Sequence, residues 1–249
     1  MKRIAIFVEG QAEQIFIRDL LLKIFDCSKL SFTCVKLYAG QMQQVPYSYN
    51  VGQSHVRIHF LIVDAANDRK VLSAIKEREK YLFREGYSNV FGLRDMYSDD
   101  YYKYSTTIND DVIDRFIDGA SQTISLMSRP EKIHLHFAIM ELEAWFIGMY
   151  NLFCKINSAL NVNYIEHKTG YNLAEIDPQR EFYKPSDELD RILRLVGMQY
   201  VKHSHDVNSI SSQIDSTDCD NAIENGRCQS FKCFYQRLLL ISETIEESN

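Results

Sequence analysis

The chain has 249 residues, enough for one large domain or two small ones with a sizeable core. Hydrophobic residues make up 45% and charged residues 25%, a globular composition, and no apolar run approaches the roughly 20 residues that span a bilayer. The formal net charge of −6 argues against a surface coated with DNA-binding charge, so a nucleic-acid partner would be gripped locally or with the help of another subunit.

At the start, Met1-Lys2-Arg3 leads into only about five apolar residues before Glu9, short of a signal-peptide h-region. The expectation is a cytoplasmic protein. Six cysteines (Cys27, Cys34, Cys154, Cys219, Cys228 and Cys233) contain no CxxC pair and no zinc-ligand spacing. They read as buried free thiols.

In chain order, Arg3 to Val8 is a β-branched and aromatic run suited to a buried strand. Glu9-Gly10 stops it, and from Ala12 the apolar spacing turns helical, ending near Phe25. Glu9 therefore sits at a strand tip and Glu13 in the first turn of a helix, where an acid also suits the helix dipole. Ser31 to Leu37 alternates as a strand, and Tyr38 to Ser54 reads as a long surface loop. Val56 to Val63 is a second strong strand ending on Asp64, with Asp68 four residues on. Lys70 to Glu85 is helix-compatible, Asn89 to Leu93 a short strand ending at Arg94-Asp95, and Tyr97 to Tyr104 polar and tyrosine-rich. Asn109 to Ser128 is helical, with Asn109 or Asp110 as N-cap. Ile133 to Ile139 is a further strand running into a helix from Met140.

This alternation predicts an α/β fold with a mostly parallel sheet flanked by helices, residues 1–150, followed by a helical C-terminal extension or lid, residues 151–249. In the latter, Asn157 to Pro185 reads as irregular. Asp187 to Gly197 (with Ser186 as N-cap), Asp206 to Ile214, Cys219 to Asn225 and Gln229 to Glu247 read as helices.

Several strands finish on an acid: Glu9, Asp64, Asp95 and Glu141. In a parallel sheet those ends share one edge, where ligands of open α/β folds bind. Gathered carboxylates repel one another unless protons or a cation intervene. Mg²⁺ (or Mn²⁺) takes hard oxygen ligands of this kind and supports phosphodiester cleavage. The sequence has no G-x-S-x-G or Walker-A pattern to suggest other chemistry.

Other residues read more plainly. His134 and His136 face one side of a strand and are more ordinary as packed or solvent-facing side chains than as ligands. Trp145 and Phe146 suit a core, and His203, His205 and Asp206 a polar loop. Tyr97, Tyr101, Tyr102 and Tyr104 with Lys103 suit either base stacking or a protein contact. Lys184 and Lys202 are candidate phosphate contacts.

Val8-Glu9-Gly10-Gln11-Ala12-Glu13 after one strand, with Leu61-Ile62-Val63-Asp64 ending another, resembles the Toprim domain of topoisomerases, primases and overcoming-lysogenization-defect nucleases. Met140-Glu141-Leu142-Glu143-Ala144-Trp145 is similar to the E-x-E-A-[WL] segment of a Toprim-like family of uncharacterised function, typically encoded beside ATPases in bacterial anti-phage loci. Tyr200-Val201-Lys202 and Arg227 to Phe231 extend the resemblance weakly towards the C-terminus.

The resemblance implies a Mg²⁺- or Mn²⁺-dependent nuclease acting on DNA, RNA or tRNA, an effector of anti-phage abortive infection working with an ABC- or AAA-type ATPase, with no membrane role and with homo-oligomerisation left open. It makes Glu9 an acid/base or metal ligand and Asp64 the first acid of a D-x-D pair. The second position of that pair is Ala66, with Asp68 displaced by two. The catalytic set would be Glu9, Glu13 and Asp64, and the metal set Glu9, Asp64, Asp68 and Glu141. Glu143 is a further acid, but on one helix it would not share a face with Glu141. The rival reading is a catalytically degenerate module that docks onto or regulates the ATPase. A phosphotransfer enzyme is a third reading, because fold alone does not fix chemistry.

Overall fold

The computed structural model describes residues 1–50, 56–67 and 70–246. Asp68 and residues 51–55 of the expected loop lie outside them. The chain divides into two compact units, one comprising Met1–Arg94, Asp111–Phe137 and Ser242–Asn249, the other Asp95–Asp110 and Ala138–Ile241. The change in sequence character near residue 151 falls inside the second unit.

The first unit carries β1 (Lys2–Val8), α1 (Gln11–Ile24), β2 (Leu30–Tyr38), β3 (Gln41–Gln44), β4 (Tyr49–Asn50), β5 (Ile58–Asp64), α2 (Lys70–Arg84) and all of β6 (Asn89–Asp95) but its last residue, which belongs to the second. A short α3 (Asp99–Tyr102), part of the second unit, precedes α4 (Asp110–Ser125) and β7 (Ile133–Ala138). Among the described residues the strands form one seven-stranded sheet of order β3-β2-β5-β1-β6-β7, with β4 paired to β2. β1 is parallel to β5 and β6, and β5 is parallel to β2, while β3 and β4 are antiparallel to β2. The fold is therefore α/β with a mostly parallel sheet, as the alternation predicts.

β1 is central because Ile4 to Val8 is apolar on both faces, and all five residues are buried. One side of the sheet packs Phe7, Val63, Val90 and Ile133 with Val71, Ile75 and Leu82 of α2. On α1, Gln14 is buried and donates from Nε2 to the carbonyls of Val35 and Ile62, each at 3.0 Å. That side chain ties β2 and β5 to the helix.

The expected loop from Tyr38 contains two strands instead. Ala39 (φ 48°) and Gly40 (φ 79°) both have positive φ, the backbone of a tight two-residue hairpin turn between β2 and β3. The polar, exposed Gln41–Gln44 carries no alternation that would mark it as a strand.

In the second unit follow α5 (Glu143–Gly148), α6 (Leu152–Ile156), α7 (Val162–Thr169), α8 (Pro178–Glu181), α9 (Pro185–Arg194), α10 (Ser204–Ser211), α11 (Ser216–Ile223) and α12 (Gln229–Glu246). Every residue of α5 is buried, and the helix packs against α8, α9 and α11. Trp145 stacks on Phe234, meets Phe231 at a tilt and donates its indole N–H to Ser230 Oγ at 2.9 Å, so it is core. The segment 157–185, expected to be irregular, holds α7 and α8. Asn161 caps α7 by accepting from Tyr164 N–H, and Gly170 (φ 88°) closes it in the left-handed conformation. Only Ile165 of α7 is buried, which is why its apolar periodicity is faint. α9 starts at Pro185, with Lys184 rather than Ser186 at its N-cap.

Candidate acidic site

Three carboxylates of the second unit, Asp95, Glu141 and Glu143, place one oxygen each within 4.8 Å of one another. All three are buried, Glu143 completely. Asp95 is the last residue of β6, while Glu141 and Glu143 flank the start of α5. The expectation that Glu141 and Glu143 point apart fails, because α5 begins at Glu143 rather than at Met140. Met140 adopts a left-handed backbone (φ 60°), so Glu141 stands on an irregular turn and is free of the 100° helical step that would separate the pair.

Neutral donors orient each acid. Leu142 N–H donates to Asp95 Oδ1 at 2.8 Å, Ser186 N–H to Glu141 Oε2 at 2.8 Å, and the Tyr200 hydroxyl to Glu143 Oε1 at 2.6 Å. The second oxygens of Asp95 and Glu143 both accept from one cation: Lys202 Nζ lies 3.1 Å from Asp95 Oδ2 and 3.2 Å from Glu143 Oε2. Burial pushes the Glu141 carboxyl above the ordinary carboxylate range, with a smaller push from the Glu143 charge. Lys202 and Ser186 oppose the rise.

Lys202 is itself rigidly presented. Its backbone is left-handed (φ 59°), uncommon for a residue with a Cβ. On either side the chain is pinned by carboxylates: Tyr200 N–H donates to Asp190 Oδ1 at 2.8 Å, and the N–H groups of Val201 and His203 donate to Asp206 Oδ2 at 3.0 and 3.3 Å. His203, His205 and Asp206, expected in a polar loop, instead start α10 (Ser204–Ser211), with His203 at its N-cap, and belong to no group of three prospective ligands among the described residues. Lys202, read from sequence as a phosphate contact, is occupied by two acids. Lys184 is exposed.

The donor set suits Mg²⁺ or Mn²⁺, being three hard carboxylate oxygens held by second-layer hydrogen bonds. Two oxygens on one Mg²⁺ stand at most about 4.2 Å apart, so oxygens no more than 4.8 Å apart reach that spacing with small side-chain rotations or none. Lys202 would have to yield its place.

The other acids singled out by sequence are arranged differently. Val8 is in register with Asp64 on adjacent strands, so Glu9 and Asp64 do end at one edge of the sheet. The Asp64 carboxylate, however, accepts from Ala66 N–H at 2.7 Å and lies 3.7 Å from Lys36 Nζ. Among the described residues it belongs to no group of three prospective ligands. Ala66 (φ 63°), in the place of a second acid, forms the turn that Asp64 closes. Glu9 and Glu13 offer carboxylate oxygens within 4.8 Å of each other, with Glu13 buried in the first turn of α1.

His134 and His136 both pack on Phe91, at centroid distances of 5.0 and 6.1 Å, and Asn89 meets His134 Nε2 at 3.2 Å. They are packing residues. Asp95 was visible as a strand-end acid of the same kind as Asp64, but sequence offered no reason to choose it. Tyr200 as a partner of Glu143 had no local signal.

No protein-family model, no curated protein and no solved structure matches this chain. The class it defines is structural: an α/β protein with a mostly parallel sheet and a buried acidic cluster of Asp95, Glu141 and Glu143. Among the described residues no helix is long and apolar enough to cross a membrane.

Proposed function

We propose that this protein is a divalent-cation-dependent nuclease, with Asp95, Glu141 and Glu143 holding Mg²⁺ or Mn²⁺. The observation that carries the reading is the gathering of buried acids: three carboxylates oriented by neutral donors, with the Lys202 ammonium on two of them. Such an arrangement is costly without further positive charge. A bound cation of this class would supply Lewis-acid stabilisation of a phosphodiester and a more acidic water. Leu142, Ser186 and Tyr200 fix the direction of the three acids towards it.

The Toprim-like motifs support phosphodiester substrates, DNA or RNA including tRNA, and give Glu9 a proton-transfer role. They also support an anti-phage effector acting with an ABC- or AAA-type ATPase. Purified protein with Mn²⁺ should cut single-stranded DNA, duplex DNA, RNA or tRNA. Asp95→Asn and Glu143→Gln should each lower the rate by roughly 100-fold or more, the scale on which essential electrostatic groups act. Cleavage that persists in both variants would remove the cluster from the chemistry, and Glu9→Gln tests the proton-transfer role in the same way.

The position of Lys202 favours one other reading, a non-catalytic module in which the lysine permanently replaces a metal. Calorimetry separates the two. Absence of Mn²⁺ binding, together with capture of the ATPase, would establish the module.

A further inference from the structure

We infer that the second unit binds one long-lived water molecule between Asp218 and Asn221 of α11. The two residues stand three apart on that helix, so their side chains share a face. Asp218 is fully buried and Asn221 is 8% exposed. Asp218 Oδ1 and Asn221 Nδ2 are both shut off from solvent, and neither has a hydrogen-bond partner among the described residues. Buried polar groups left unmet are rare because they are costly, and an ordered water is the usual remedy.

The second carboxylate oxygen shows what is already supplied. Asp218 Oδ2 accepts from Lys155 Nζ at 2.6 Å and from Asp215 N–H at 2.9 Å. Lys155 therefore provides the opposite charge, and the two bonds hold the carboxylate so that Oδ1 does not swing towards the amide. What remains to be met is one acceptor and one donor.

That pair of requirements selects the ligand. A metal ion or ammonium satisfies Asp218 but sets positive charge against the Asn221 N–H groups. Chloride satisfies Asn221 but is repelled by the carboxylate. Water does both, donating to Asp218 Oδ1 and accepting from Asn221 Nδ2, and it adds no charge beside the Lys155–Asp218 ion pair.

The place is a packed one. Ala222, four residues past Asp218 on the same face, is where α11 meets α5: a Cβ on Gly148 would stand 3.7 Å from Ala222 Cβ. The buried Arg227 donates to the backbone carbonyl of Asn221. Lys155 and Arg227 thus grip α11 through groups other than the two inward atoms, and the water completes the polar contacts between those grips.

The test reads bound water in the full chain. In the ¹⁵N-labelled, unaltered protein the Asn221 side-chain NH₂ should show a nuclear Overhauser peak to the water signal, with the sign of a long-lived complex. Relaxation dispersion of ¹⁷O-water counts such waters. Asn221→Leu, which spares the Lys155 ion pair and the carbonyl that Arg227 holds, should lower the count by one. A resolved Asn221 NH₂ without the water peak would overturn the site, whether or not the variant folds. An unchanged count in folded Asn221→Leu would overturn it too. A melting temperature that rises when Na⁺ or K⁺ replaces choline at equal ionic strength, and only while Asn221 is present, would place a cation there with the amide oxygen turned inward, and would overturn the water.

Discussion

The Tyr200 hydroxyl donates a 2.6 Å hydrogen bond to Glu143 Oε1, and the carboxylate that accepts it is fully buried. This contact fixes the direction of an acid that water does not reach. Tyr200→Phe removes the donor without changing the packed shape. The expected cost is about 1–3 kcal/mol, read from urea unfolding, since the acceptor loses a partner and cannot recover it from solvent. A change below about 0.3 kcal/mol would mean that Glu143 does not depend on the hydroxyl.

Gln14 makes a parallel case in the sheet unit. Its Nε2 group serves carbonyls on two adjacent strands, Val35 and Ile62, at 3.0 Å each. Gln14→Leu keeps the bulk and removes both donors, and should destabilise by about 1–3 kcal/mol. Amide exchange at the ends of β2 and β5 should rise with it. Unaltered exchange there would show that α1 does not secure these strands.

Gly92, in β6, is required by space alone. A Cβ at this position would stand 2.9 Å from Ile75 Cδ1, and closer still to Leu135 Cδ1. Gly92→Ala should therefore cost about 1–3 kcal/mol through overpacking. Pairing it with Leu135→Ala should recover part of the loss, since the closest neighbour is shortened. If Gly92→Ala alone were stable in a thermal melt, α2 would not pack on the sheet as described.

The thiols should divide by environment. Cys154 and Cys233 are exposed, whereas Cys34, Cys219 and Cys228 are buried. Burial pushes Cys34 and Cys219 up to about 12 and raises Cys228 as well, so they stay protonated and weakly nucleophilic at neutral pH. Iodoacetamide at pH 8 should alkylate Cys154 and Cys233 first, and the three buried thiols only after unfolding. Early alkylation of Cys219 would show that α11 opens readily.

The sequence by itself determined the class of fold, the strands β1, β2, β5, β6 and β7, and the core role of Trp145. These follow from short-range physics: unbroken apolar runs must bury both faces, and alternating or helical spacing shows which face goes inward. It also placed acids at strand ends, because a chain leaving a buried strand becomes polar where it reaches the sheet edge.

Which acids meet was decided only by tertiary structure. Asp64 matched a motif and turned to Ala66 N–H, while Asp95 matched none and joined Glu141 and Glu143. The deciding features are a left-handed Met140, which frees Glu141 from the helix, and a lysine 59 positions beyond Glu143, held by its own left-handed backbone. Neither is a property of nearby spacing. Carboxylate convergence depends on where distant segments pack, and a local pattern carries no record of that.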